Sequence, residues 1–374
     1  MNIKRGLKKK LLAAIGSKKV LILYGARQVG KTTLVKDLLK ETRDSAYLSC
    51  DEPDVRAAFT EKTSTEMLAF IRGAKTIVLD EAQRIPGIGL TLKTLHDAHP
   101  EITIIATGSS SFELANGATE PLTGRNVPFT LYPVSYAEYA KTVGERDSIR
   151  LLGERLCFGM YPAVITSKNP KQEIYQIAQD YLFKDVLRVE RIRKPIVVEK
   201  LTQLLAHQTG QLVSYNEIAQ KLEVSRPTVM NYVRILEQAF IIFRVSPLGK
   251  NKRNEITRFE KIYFYDVGIR NALINSFDLP ENRSDIGCLF ENFFIAERLK
   301  QYQQEHRVVK QYFWQNKTGS EIDLIEESHE KMEAFECKWR NTKIHTRAWQ
   351  RSFPAIPVTL INKENVWQYI GLAT

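Results

Sequence analysis

The chain has 374 residues, 43% of them hydrophobic, and a formal net charge of +11. That is enough apolar material for sizeable cores in two or three domains, at roughly 100–200 residues per domain, and the basic balance favours polyanionic partners without fixing a fold, since an ordinary basic enzyme can carry the same charge. Cys50, Cys157, Cys288 and Cys337 lie far apart, which excludes a CxxC zinc or redox motif and fits a reducing compartment, the cytoplasm.

In chain order, MNIKRGLKKKLLAAIGSKK has the basic flank of a secretory leader. Its apolar stretch, 11–15, is too short and lysines follow at once, so an amphipathic first helix is expected. No apolar run reaches membrane-spanning length, so no membrane association is expected. Short Val/Ile/Leu runs at 20–24, 46–49, 76–80, 103–107 and 127–131 alternate with helical patterns. They predict an α/β fold, a parallel sheet buried on both faces by helices. The pattern turns helical over 135–207. Over 210–272 it reads as two short helices, a longer one, then strands around a basic loop. A turn-rich segment, 278–285, precedes a helix at 289–301 and strands at 312–315, 321–325 and 334–338.

GARQVGKT, over 25–32, matches the phosphate-binding loop G-x-x-x-x-G-K-[ST] between an apolar strand and a helical pattern. Gly25 and Gly30 let the backbone curl so that N–H groups converge on phosphate, and the following helix adds its positive end. Gly25, Ala26, Arg27, Gln28, Val29, Gly30, Lys31, Thr32 and Thr33 are the expected ATP contacts. Lys31 is expected to reach the β and γ phosphates and Thr32 to ligate Mg²⁺. TIVLDEAQ delivers Asp80 to the ligand edge of the sheet, where it would hold Mg²⁺ through its water shell, with Glu81 as the base that orients water. In IIATGSSS, Ser109 or Ser110 either contacts the γ-phosphate or forms a hydrogen-bonded turn. Arg125 in LTGR either neutralises charge on the γ-phosphate, in its own subunit or a neighbour's, or makes a surface salt bridge.

SYNEIAQKLEVSRPTVMNYVRILEQ, 214–238, reads as a helix-turn-helix. Ser214 with Glu217 makes a capping box, and Ser225 caps the second helix. Val229, Val233 and Leu236 form the buried stripe, leaving Arg226, Thr228 and Asn231 to face DNA. Lys250, Lys252 and Arg253 charge the loop that follows. Interdomain packing is the alternative use of such a unit.

After residue 288, Glu291 lies on a helix, Asp323 in GSEIDLI, and Glu336 and Lys338 in FECKW. Strand alternation puts Glu336 and Lys338 on one face with Cys337 opposite, and Glu321 and Asp323 on one face with Ile322 and Leu324 on the other. Carboxylates bind Mg²⁺ or Mn²⁺, and an adjacent lysine helps to activate water, which suits phosphodiester hydrolysis. The polar face of an ordinary strand reads the same way. Arg340, Lys343, Arg347 and Arg351 add a basic rim.

Together, GARQVGKT, LDEAQ, ATGSSS, LTGR followed by LYPVSYAEY, then YFYDVGIRNAL, LFENFFIAERL, GSEIDLI and FECKW resemble the prokaryotic AAA-type ATPases that pair an N-terminal P-loop domain with a C-terminal nuclease-like domain. The resemblance spans nearly the whole chain. It implies a P-loop AAA+ core at 1–134, a helical lid at 135–207, a winged helix at 208–276 and a PD-(D/E)XK-like domain at 285–374. Asp323, Glu336 and Lys338 match the D…ExK core, and Glu291 its helical acid, so Glu291, Asp323 and Glu336 are the expected metal ligands and Glu336 and Lys338 the catalytic pair. The expectation is an ATP-hydrolysing protein that acts on DNA, with a metal-dependent nuclease centre, in a homo-oligomer. The alternative is an ATP-dependent DNA- or protein-binding switch or scaffold that does not cut. A metabolic kinase is a weak third reading, because a helix-turn-helix is poor equipment for a small substrate.

Overall fold

The computed structural model describes residues 3–108, 122–180, 192, 194–249, 259–305, 307–316, 318–329 and 331–371. Ser109, Ser110, Lys250, Lys252 and Arg253 lie outside the described residues. Among those described, no helix is long and apolar enough to cross a membrane.

The first helix, α1 (Leu7–Ala14), is amphipathic and buries Leu7 and Leu11. The expected strands follow as β1 (Val20–Tyr24), β2 (Ser45–Ser49), β3 (Thr76–Asp80), β4 (Thr103–Gly108) and β5 (Asn126–Thr130), all parallel, in the order β2-β3-β4-β1-β5. Between them lie α2 (Lys31–Leu39), α3 (Pro53–Phe59), α4 (Ser64–Ile71) and α5 (Ile88–Ala98). Alternate residues serve opposite faces. Val20, Ile22, Ile77, Leu79 and Ile104 pack with α3, α4 and α5, whereas Leu21, Leu23, Val78 and Ile105 pack with α1 and α2. Burial on both faces is why these strands read as unbroken apolar runs.

Among the described residues six helices follow: α6 (Tyr136–Val143), α7 (Glu145–Arg150), α8 (Leu152–Phe158), α9 (Pro162–Thr166), α10 (Pro170–Asp180) and α11 (Pro195–His207). They do not pack as one body. Tyr136, Tyr139, Leu152 and Leu156 join a core with the C-terminal part of the chain. Val164, Ile174, Ile177, Val198, Leu201 and Leu205 join the core shared by the P-loop sheet and the helix-turn-helix.

Next come β6 (Leu212–Val213), α12 (Tyr215–Lys221), α13 (Arg226–Gln238), β7 (Ile242–Pro247), β8 (Glu260–Phe264) and α14 (Val267–Leu273). One short helix, not two, precedes the longer α13. The chain then forms α15 (Ile286–Glu305), β9 (Lys310–Gln315), β10 (Glu321–Glu327), β11 (Met332–Cys337), α16 (Arg347–Ser352), β12 (Val358–Ile361) and α17 (Val366–Ile370). The last three elements carry no clear sequence pattern. The second sheet has seven strands, ordered β12-β11-β10-β9-β7-β8-β6. Its continuity rests on β7 pairing in parallel with β9, Ser246 opposite Tyr312 and Pro247 opposite Phe313. The units expected at 208–276 and 285–374 therefore share one sheet. Across it lies α15, whose Phe290, Phe293 and Phe294 pack with Leu324 and Phe335. The Asn292 side chain accepts from the Phe264 N–H (2.9 Å) and donates to its carbonyl (2.7 Å), bonding the end of β8 as a neighbouring strand would.

Candidate functional site

The turn from β1 to α2 forms the first site. Gly25 (φ 153°) and Gly30 (φ 97°) adopt backbone that side chains disfavour, and a Cβ on Gly25 would meet the Leu131 carbonyl oxygen at 2.2 Å. Ala26 and Val29 bury their side chains beneath the loop, while Gln28 and Thr33 are exposed and Arg27 and Thr32 half-buried. Helix α2 starts at Lys31, so its unpaired first-turn N–H groups open onto the loop. Lys31 is only 5% exposed and donates to the carbonyls of Gly25 (2.8 Å) and Ala26 (2.9 Å).

In the sheet, β4 lies between β1 and β3, which sets Thr107 beside Asp80. Asp80 is buried. Its Oδ2 accepts from Thr32 Oγ1 (2.7 Å) and Tyr47 Oη (2.6 Å), and its Oδ1 accepts from Thr107 Oγ1. Burial and the Asp80 carboxylate hold the Tyr47 proton well above the usual phenol range. Glu81 follows in left-handed backbone (φ 55°). Its N–H donates to Thr107 Oγ1 (3.1 Å), and its carboxylate accepts from Gln83 Nε2. A hydroxyl and a hard carboxylate in direct contact, next to a lysine and helix N–H groups, are donors that suit Mg²⁺ and a polyphosphate. Thr107 and Tyr47 escaped the sequence reading. Thr107 had a signal, as a polar residue near the end of a buried strand, whereas Tyr47 had none.

Arg125 does not join this cluster. Its carbonyl accepts from Val20 N–H (2.9 Å) at the start of β1, and the phosphate loop follows the other end, about 13 Å away at ~3.3 Å per residue. The guanidinium pairs with Asp97 (2.7 Å) in the open. Contact with a phosphate in its own subunit is thus corrected: the parallel strands β1 and β5 point the same way, and Arg125 precedes β5. Arg5, unsuspected in the sequence, reaches the loop from outside it. Its guanidinium donates to the carbonyls of Val29 (2.8 Å) and Tyr132 (2.6 Å) and to Glu138 Oε2 (3.0 Å), tying the loop to α6.

The second cluster lies where α15 crosses β8 and β10. Carboxylate oxygens of Glu291, Glu321 and Asp323 all lie within 4.8 Å of one another. The expected third member, Glu336, is not in this group. Its Oε1 accepts from Lys338 Nζ (2.8 Å), and its Oε2 is buried with no hydrogen-bond partner. Lys338 Nζ stands 3.9 Å from Asp323 Oδ2. A register shift between Ile322 and Ile325 in the β9–β10 pairing sends Ile322 and Leu324 into different cores, not onto the common face expected. The sequence reading also missed Lys261 of β8. Its ammonium contacts Glu291 Oε1 (3.1 Å) and Glu321, and Tyr263 Oη donates to the same Glu291 oxygen (2.5 Å). Asp323 Oδ2 accepts from the Cys337 N–H (2.8 Å).

A divalent ion sits about 2.0–2.6 Å from its oxygens, so an ion among Glu291, Glu321 and Asp323 would collide with the Lys261 ammonium. As folded, these three do not fit one. Burial, then the Asp323 charge, push Glu291 up to about 8 and Glu336 up to about 7. Burial works against the charge on Lys261, but Glu291, Asp323 and Glu321 overcome it and hold its proton above the usual lysine range.

The segment read as a helix-turn-helix forms the two helices α12 and α13. Ser214 accepts from Glu217 N–H (3.3 Å), but the Glu217 carboxylate pairs with Lys221 (2.8 Å), so the expected capping box is half formed. Ser225 caps α13 through Thr228 N–H (3.3 Å). Val229, Val233 and Leu236 are buried, Arg226, Met230 and Arg234 exposed, and Thr228 and Asn231 half-buried. Arg340, Lys343, Arg347 and Arg351 are all exposed.

Residues 17–140 match the family described as an AAA domain, and 149–279 and 286–356 match two domains of unknown function. An uncharacterized protein of Mycobacterium tuberculosis is 26% identical over 345 residues, 91% of this chain and 74% of its own length. One from Methanocaldococcus jannaschii is 23% identical over 370 residues, 92% of this chain and 81% of its own. Among solved structures, a Walker-type ATPase of Pyrococcus abyssi aligns over 73% of this chain and 96% of its own, at 16% identity and a TM-score of 0.48.

Proposed function

From the AAA-type ATPase domain that residues 17–140 carry, we propose that the protein binds and hydrolyses ATP and uses the change to govern how its helix-turn-helix holds DNA. The observation that carries this reading is the convergence of Lys31, Thr32, Asp80, Thr107 and Glu81 at one edge of the sheet. Bound Mg–ATP supplies an electrophilic γ-phosphorus and a metal that polarises it. Lys31 exchanges the Gly25 and Ala26 carbonyls for phosphate oxygens. Thr32 and Asp80 would hold the metal, and the Tyr47 and Thr107 hydroxyls fix the Asp80 carboxylate for that role. Glu81 accepts a hydrogen bond from the attacking water and orients it. The route to the DNA-binding part is short, because α10, α11 and α13 pack in the same core as α2. Arg226 and Arg234, exposed on α13, supply phosphate contacts.

The test is DNA affinity measured with and without ATP at several salt concentrations. Affinity should fall steeply with salt through counterion release and shift on adding ATP. Lys31→Ala should abolish the shift and leave the nucleotide-free affinity intact. Salt-independent binding, or an ATP response that survives in Lys31→Ala, refutes the reading.

A second reading, metal-dependent strand cutting, is favoured by one observation: the buried, unpartnered Glu336 Oε2 near Asp323. Asp323 and Glu336 would hold a single Mg²⁺ or Mn²⁺ there, with Lys338 positioning water. Plasmid incubated with the protein and either ion should then be nicked, and Glu336→Gln should lose the activity. Intact plasmid under both ions removes this reading and leaves the switch.

A further inference from the structure

Strand β8 enters the C-terminal cluster from the helix-turn-helix half of the second sheet. It is bonded on both sides, Lys261 standing opposite Leu212 of β6 and Val245 of β7, so its backbone is not free to withdraw. The Lys261 side chain is 1% exposed and ends between Glu291 on α15 and Glu321 on β10. The Phe313 ring lies 5.5 Å from its ammonium. Glu291 is enclosed by protein on its other sides. Tyr263 occupies the same oxygen, and Gly210 (φ 75°) comes so close that a Cβ there would lie 3.3 Å from both carboxylate oxygens. A buried ammonium is tolerated only where opposite charges and hydrogen bonds surround it, and this one meets several carboxylates.

We propose that Lys261 is the resident cation of the Glu291–Glu321–Asp323 group, its ammonium standing where a divalent ion would stand, and that the group is an ionic latch joining the two halves of the seven-stranded sheet. This goes beyond the ATPase reading and does not depend on it. A metal latch exchanges with solution, whereas a lysine tethered to a strand paired on both sides cannot leave. The joint between the helix-turn-helix and the C-terminal part is therefore independent of metal supply, and any divalent ion is confined to the neighbouring Asp323–Glu336 edge.

The experiment is Mn²⁺ uptake, read from the loss of the free-ion electron paramagnetic resonance signal, by the full chain carrying Asp80→Asn to silence the ATP-site carboxylate. With Lys261 present, Glu291→Gln should leave uptake unchanged. Lys261→Met, which keeps the stem and removes the charge, should gain one further Mn²⁺ per chain, and adding Glu291→Gln should abolish that gain. Uptake that Glu291→Gln removes while Lys261 is present overturns the proposal. So does a folded Lys261→Met that gains nothing. Should Lys261→Met fail to fold, the Glu291→Gln comparison decides alone: a loss overturns the proposal and no change supports it.

Discussion

Glu81→Gln is expected to bind ATP nearly as the natural protein does and to hydrolyse it about 10²–10⁴-fold more slowly, the range lost with a general base. The substitution is isosteric, so the Gln83 contact and the backbone bond to Thr107 have no reason to break. The left-handed backbone at Glu81 (φ 55°) is uncommon for a residue with a side chain. Binding would be followed with a fluorescent ATP analogue and turnover by phosphate release. Turnover at the natural rate would remove Glu81 as the base, and loss of binding would mean that the change damaged the loop.

Arg298→Ala is expected to destabilise the C-terminal part by about 3–5 kcal/mol, the usual cost of stripping one partner from a buried ion pair. Arg298 Nη2 lies 2.6 Å from Glu326 Oε2, with the two side chains 10% and 2% exposed. Its Nε reaches both Glu326 oxygens, at 3.1 and 3.2 Å, and its Nη1 donates to the Tyr369 carbonyl at 2.8 Å. One guanidinium thus ties α15 to β10 and to α17. Burial above all pushes the Glu326 carboxyl up, and Arg298 opposes that shift. Trp314, Trp339, Trp349 and Trp367 are the chain's only tryptophans, so the fluorescence change in a urea melt reports this part of the molecule. Its midpoint should fall sharply in Arg298→Ala and recover in part when Glu326→Leu removes the stranded charge. An unchanged midpoint would show that the pair contributes little.

The N-terminal site was legible because its chemistry is local. Phosphate is bound by consecutive backbone N–H groups, so the whole requirement fits within GARQVGKT, and the strands around it announce themselves as apolar runs because both faces are covered. Asp80 and Glu81 were legible for the same reason, as the polar end of such a run. The own-subunit phosphate contact of Arg125 fell because its sequence context gave its strand but not the end of the sheet from which it reaches, and the alternative surface pair forms instead, with Asp97. Tyr47 and Thr107 became visible only once the strand order brought β2, β3 and β4 side by side.

In the C-terminal half the sequence by itself determined which carboxylates are present and which strands bear them. Only the tertiary structure decided what they face. The bulge in β10 split Ile322 from Leu324, the β7–β9 pairing merged two expected domains into one sheet, and β8 carried Lys261 to Glu321 from 60 residues away. The physical reason is common to all three. Periodicity records whether a side chain is buried, but the charge it meets there depends on which strand lies next to it, and strand order is fixed by long-range packing.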